Sequence, residues 1–224
     1  MLHNSMSPQR RSAGRSPVRW IAVLTAIAFA AALLLPAMPQ SVVYHDFADH
    51  RHGLGMANAM DVLSNAAFLI VGLFGLAIIA GHRAFFESPA ERWPYVTFFI
   101  GMVLTAAGSA YYHLAPDNET LFWDRLPMTI AFMGLVSGQI VDRVSVRGGL
   151  RLLVPMLLIG AATVVYWRWT EHLGAGNVLP YGILQGYTVL VLLLLEQAVA
   201  YSASYHMPRR GGSAAVGGRR ASAG

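Results

Sequence analysis

Apolar and polar residues are sorted into long runs along this chain rather than alternating. The first apolar run extends from Trp20 to about Pro36, and a polar loop over 39–57 follows it. Further runs cover roughly 58–80, 94–113, 121–141, 152–168 and 179–200. Runs of about 17–23 residues match the length of helix that crosses a ~30 Å hydrocarbon core. The pattern predicts an all-α, polytopic transmembrane helical bundle of six spans. Residues 1–17 read as a disordered cytoplasmic tail and 18–38 as a retained N-terminal transmembrane helix or a signal anchor. Residues 39–200 read as one membrane domain. Residues 201–224, rich in Gly, Ala, Ser and Arg, lack the apolar content needed to fold and read as a disordered low-complexity tail.

Composition agrees with this reading. Hydrophobic residues make up 55% of the chain and charged residues 12%, about half the charged fraction of a soluble domain. There is no cysteine, which removes disulfide frameworks and thiolate sites. The formal net charge of +5 comes from sixteen arginines and no lysine, a usage that reads as GC-rich coding bias. In a soluble protein such a charge would suggest nucleic acid. Here the arginines read as anchors of cytoplasmic loops, so no nucleic-acid partner is expected. Thirteen fall in the N-terminal tail, the 81–93 loop, the 142–151 loop and the C-terminal tail, against three in the alternate loops with Arg125 at a span end. The positive-inside rule then places both termini in the cytoplasm, and the expected location is a bacterial inner membrane.

That topology gathers chemistry at one face. The second span begins outside, the third ends outside and the fourth begins outside. Asp61, Ser109, His113 and Asp124 therefore share a depth although they are spread over 63 positions. Ser109 and His113, four residues apart, share a helix face. Asn58, Asp61 and Asn65 form a polar stripe, with Ser64 beside it. Each residue alone has a structural explanation. Asp124 would suit the first turn of a helix capped by Asn118 or Thr120. His113 would suit a helix C-terminus among headgroups, and Ser109, Ser64 and Asn65 would suit interhelical hydrogen bonds. Their coincidence at one depth favours a pocket, because ionisable groups in spans usually line an interior or a cavity. Gly134 to Gly138 is a small-xxx-small match for close helix packing.

At Tyr44-His45-Asp46-Phe47-Ala48-Asp49, Asp61-Val62-Leu63-Ser64-Asn65, Ser109-x-x-x-His113 and Asp124-Arg125-Leu126-Pro127-Met128 the chain resembles the alkaline ceramidase family. That family belongs to a wider group of membrane hydrolases that includes the adiponectin receptors. The similarity covers roughly residues 42–195. It implies a seven-helix, zinc-dependent hydrolase that cleaves the amide bond of a ceramide-like membrane lipid reaching the site from the bilayer. In that resemblance His113 matches a zinc ligand, while Ser109 and Asp124 match the catalytic polar groups around the metal-bound water. Asp46, Asp49 and Asn58 match positions that hold calcium in eukaryotic members, and calcium prefers oxygen ligands.

One departure from the family pattern stands out. Two of its three zinc ligands form a His-x-x-x-His pair, yet the only histidines after His113 are His172 and His206. Leaving aside the extra N-terminal run, the sequence carries five of the seven family helices, which reads as truncation by a frameshift. Three functions follow as expectations. The first is a zinc-dependent amide hydrolase of ceramidase type. The second is a non-catalytic remnant or membrane scaffold of the same fold. The third, a small proton-coupled transporter, expects ionisable groups at several depths rather than at one face.

Overall fold

A computed structural model describes residues 15–47, 53, 55–82 and 86–205. Asp49, His50, Arg51, His52, Arg83 and both tails beyond residues 15 and 205 lie outside the described residues. Within them the chain is an all-α bundle. In order, α1 is Arg15–Leu34, α2 Ala59–Ser64, α3 Ala66–Gly81, α4 Trp93–Leu114, α5 Asn118–Arg143, α6 Val146–His172 and α7 Leu179–Tyr205.

Among the described residues four stretches are long and apolar enough to cross a membrane: Ala59–Gly81, Pro89–Leu114, Val146–His172 and Leu179–Gln197. The first is the predicted second span, interrupted at Asn65. There the Ser64 hydroxyl and the Asn65 side-chain amide both donate to the Asp61 carbonyl at 2.8 Å, so side chains take up backbone capacity at the break. The apolar stretch of α1, Val18–Leu34, is shorter. It stops just before Pro36, whose ring disfavours helical geometry in the residue ahead of it. At about 1.5 Å per residue, α5 is about 39 Å long, enough to cross a bilayer. Its charges at Glu119, Asp124, Arg125, Asp142 and Arg143 lower its apolar character, and most of its middle is buried by neighbouring helices.

The boundaries differ from the sequence reading where capping chemistry intervenes. Asp117, rather than Asn118 or Thr120, is the N-cap of α5. Its Oδ1 accepts from the Thr120 N–H at 2.7 Å, and the Thr120 hydroxyl accepts from the Asp117 N–H at 3.1 Å. Ser145 caps α6 with a single bond, its hydroxyl accepting from the Gly148 N–H. Helix α7 runs past residue 200 to Tyr205, since no helix breaker occurs before Pro208.

The most extensive packing joins α5 to α4 and α6, which makes α5 the centre of the bundle. Small residues set the register of α4 against α5. A Cβ at Gly108 would overlap the Trp123 carbonyl, one at Gly101 would overlap the Ala131 backbone, and one at Gly134 would press on the Phe98 N–H. Gly138 lies under the Tyr95 ring. The glycine pair at 134 and 138 therefore serves close helix approach, as its spacing predicts. Two apolar clusters complete the core. One, near the N-terminal end of α5, is built on Tyr112, Leu121, Val164, Trp167 and Tyr181. The other, toward its C-terminal end, is built on Val136, Ile140, Val191 and Leu195, with Ile21 and Leu24 of α1 against it. Polar pairs close that second end: Arg143 with Glu196 at 2.6 Å, and the Tyr95 hydroxyl with Asp142. Glu196 is thus a paired residue at the edge of the bundle.

Candidate functional site

The site forms where α4 ends and α5 begins. Ser109 and His113 lie one turn apart on α4, and Thr105 one turn further in is bonded to its own helix through the Gly101 carbonyl at 2.8 Å. Asp124 comes from α5. Ser109 lies beside the Asp124 carboxylate, and His113 and Arg125 lie within electrostatic reach of it. Asp124 and Ser109 are both buried. The chain turn between the two helices therefore joins the serine, the histidine and the carboxylate that the spacing singled out.

Two of the competing explanations lose ground here. Asp124 sits about two turns inside α5, beyond the first turn in which the helix dipole acts. The Nδ1 of His113 is buried without a hydrogen-bond partner, so it is not spent on capping the end of α4. The ring lies against Phe47, with centroids 4.6 Å apart.

The backbone geometry has a local cause in Asp124-Arg125-Leu126-Pro127. Pro127 has no N–H to give the Trp123 carbonyl. That carbonyl instead faces Gly108, the residue before Ser109, where the missing side chain leaves room for it.

A strap formed by residues 37–47 crosses this end of the bundle. Val178 N–H donates to the Met38 carbonyl at 2.8 Å, and the Asn177 side-chain oxygen accepts from the Met38 N–H at 3.2 Å. The Gln40 N–H donates to Glu171 Oε1 at 3.1 Å. Further along, His45 Nδ1 is bonded to the Tyr112 hydroxyl at 2.9 Å and its Nε2 to Asn118 Oδ1 at 3.0 Å. Both ring nitrogens of His45 are thereby engaged.

The remaining predicted positions separate into two groups. Asn58, in a left-handed conformation at φ 49°, donates from its side chain to the His113 carbonyl at 2.9 Å and ties the start of α2 to the site. Asp46 follows the short turn Val42–His45, and its N–H bonds to the Val43 carbonyl. Ser64 and Asn65 are turned back on the Asp61 carbonyl and serve the α2–α3 break. Asp49 is outside the described residues.

Sequence reasoning placed Arg125 merely at a span end, yet it is 5% exposed and central to this end of the bundle. Its guanidinium lies 4.4 Å from the Trp167 ring centroid, 4.9 Å from that of Tyr181 and 5.4 Å from that of Tyr44. Nη2 donates to Gln40 Oε1 at 2.7 Å, while Nη1 is buried with no hydrogen-bond partner. The signal available in advance was an arginine directly after a carboxylate inside an apolar run.

Among the described residues no group of three or more His, Cys, Asp or Glu side chains is placed to hold an ion. His113 offers one imidazole beside one carboxylate, whereas catalytic zinc uses three protein ligands. The described residues do not fit a zinc centre on their own, nor the six to eight oxygens that calcium takes. No protein-family model, curated protein or solved structure matches this chain.

Proposed function

We propose that this protein is a ceramidase-like integral membrane hydrolase acting on the amide bond of a ceramide-type lipid. The observation that supports the reading is the burial of Ser109 beside Asp124 with His113 next to them, in a bundle of lipid-facing helices. Asp124 is disposed to accept a proton from a water that attacks the amide carbonyl. Ser109, beside the carboxylate, is able to donate to the oxygen that gains charge. The C–N bond then breaks, the amine takes up the proton, and a fatty acid and a sphingoid amine leave. The arginine distribution supports a multi-pass inner-membrane protein of six spans, with both termini cytoplasmic and this site facing outward.

A second reading, a non-catalytic lipid-binding scaffold of the same fold, is favoured by the shortage of metal donors among the described residues. Purified protein in lipid nanodiscs, incubated with a ceramide and assayed for fatty-acid release, separates the two. Hydrolysis that falls at least 100-fold in both Ser109→Ala and Asp124→Asn supports the enzyme. Binding without turnover in the unmodified protein supports the scaffold.

A further inference from the structure

Helix α6 carries two arginines with no part in the core or in the site at the start of α5. Arg147 and Arg151 are exposed, and among the described residues neither has an ion pair or a hydrogen-bond partner. Two acids at this end of the bundle are engaged elsewhere: Glu196 pairs with Arg143, and Asp142 takes the Tyr95 hydroxyl. No acidic residue lies in the first turn of α6. Side chains four residues apart on a helix leave Cβ atoms about 5–6 Å from each other, and like charges at that spacing repel. The pair is therefore unfavourable to the helix taken alone.

The face that carries the pair is defined along the whole of α6. Arg147, Arg151, Val154, Leu158, Val165 and Trp169 are all exposed. At about 100° per residue they fall within an arc of about 80°. Gly149, Leu153, Gly160, Val164 and Trp167 are buried on the opposite side, where Gly149 meets Val141 and Gly160 meets Met133 of α5. The arginines thus head the outward, apolar stripe of the helix. Eighteen residues separate Arg151 from Trp169. At about 1.5 Å per residue that is about 27 Å, close to the ~30 Å hydrocarbon core. Trp169, with its ring centroid 6.3 Å from that of Tyr166, suits one interface of the bilayer, and Arg151 suits the other. Helical side chains tilt toward the N-terminus, so both arginines reach from the stripe to the headgroups at that end.

From this arrangement we infer an anionic-phospholipid site on the outward face of α6. The guanidinium groups of Arg147 and Arg151 take one lipid phosphate between them, and an acyl chain lies along Val154 and Leu158. A guanidinium presents a donor fork that matches phosphate oxygens. One phosphate also removes the repulsion within the pair. A zwitterionic lipid brings its own ammonium, which offsets that gain, so phosphatidylglycerol is preferred to phosphatidylcholine. The site lies at the other end of the bundle from Ser109 and Asp124 and does not depend on the hydrolase reading.

The test titrates the full chain in detergent with phosphatidylglycerol or with phosphatidylcholine and reads bound lipid by native mass spectrometry. Phosphatidylglycerol is expected to bind about tenfold more tightly. Arg147→Gln combined with Arg151→Gln is expected to bring the ratio below about twofold, with the thermal midpoint of the lipid-free protein unchanged or higher once the repulsion is gone. Arg209→Gln combined with Arg210→Gln removes the same charge from the C-terminal tail and is expected to leave the ratio near its unmodified value. Equal affinity for the two lipids in the unmodified protein, or a ratio that falls as far in the tail variant, overturns the site. Equal stabilisation by inorganic phosphate without lipid would assign the arginines to a soluble anion. A dimer that excludes lipid and dissociates in Leu158→Arg would assign the face to a second copy of the chain. Either result also overturns it.

Discussion

The carbonyl oxygen of Trp123 points at Gly108, and this backbone approach brings Ser109 to Asp124. Pro127 leaves the carbonyl without its helical donor, and the glycine leaves space for it. The juxtaposition of two polar side chains from two helices is thereby set by two residues that contribute no polar side chain of their own. Gly108→Ala puts a methyl group against fixed backbone. Destabilisation of about 1–3 kcal/mol, the usual cost of overpacking, is expected in detergent unfolding. Gly182→Ala, whose new Cβ meets nothing within 4 Å, serves as the control and is expected to unfold at the unmodified midpoint.

The cap of α5 gives a sharper local test. Asp117→Ala removes the side chain that accepts from Thr120 N–H, at an expected cost of about 1 kcal/mol. Asn118→Ala leaves the cap in place and breaks the contact with His45. If Asn118→Ala costs clearly more than Asp117→Ala in thermal unfolding, this assignment of the cap is wrong.

Glu171 anchors the strap. Its Oε1 accepts from both the Gln40 N–H and the Trp167 indole. Glu171→Ala strands two donors, each costing about 1–3 kcal/mol if left unsatisfied. Glu171→Gln keeps an accepting oxygen and is expected to recover most of the loss. Proteolysis between residues 36 and 47 reads this directly, with faster cleavage expected in the alanine variant and near-normal cleavage in the glutamine variant.

Metal content is a separate question. One imidazole with one carboxylate holds zinc weakly compared with three-ligand sites. Protein purified in zinc and then dialysed is expected to retain well under one equivalent by elemental analysis. A full equivalent that survives dialysis and disappears in His113→Ala would show that donors beyond the described residues complete the site.

The membrane-crossing character was legible because length and apolarity are summed over about twenty residues, and such sums survive local errors. The meeting of Ser109, His113 and Asp124 was legible as well, since helices joined by a short turn leave few ways to separate their adjoining ends. The cap was missed because Asp117, Asn118 and Thr120 are all plausible caps and only backbone geometry chooses among them. Arg125 was missed for a different reason. Its cage is assembled from Tyr44, Trp167 and Tyr181, three segments whose convergence no local pattern records. The stripe at Asn58, Asp61 and Asn65, with Ser64 beside it, read as a pocket wall, but Ser64 and Asn65 spend their donors on their own helix.

The most direct measurement of the central claim is fatty-acid release from a ceramide by the purified protein, compared with Asp124→Asn at equal folded concentration. The account predicts turnover above buffer in the unmodified protein. It also predicts a loss of at least 100-fold in Asp124→Asn with the thermal midpoint preserved. Turnover unaffected by Asp124→Asn would contradict the assignment of the site, and absence of turnover in the unmodified protein would contradict the hydrolase itself.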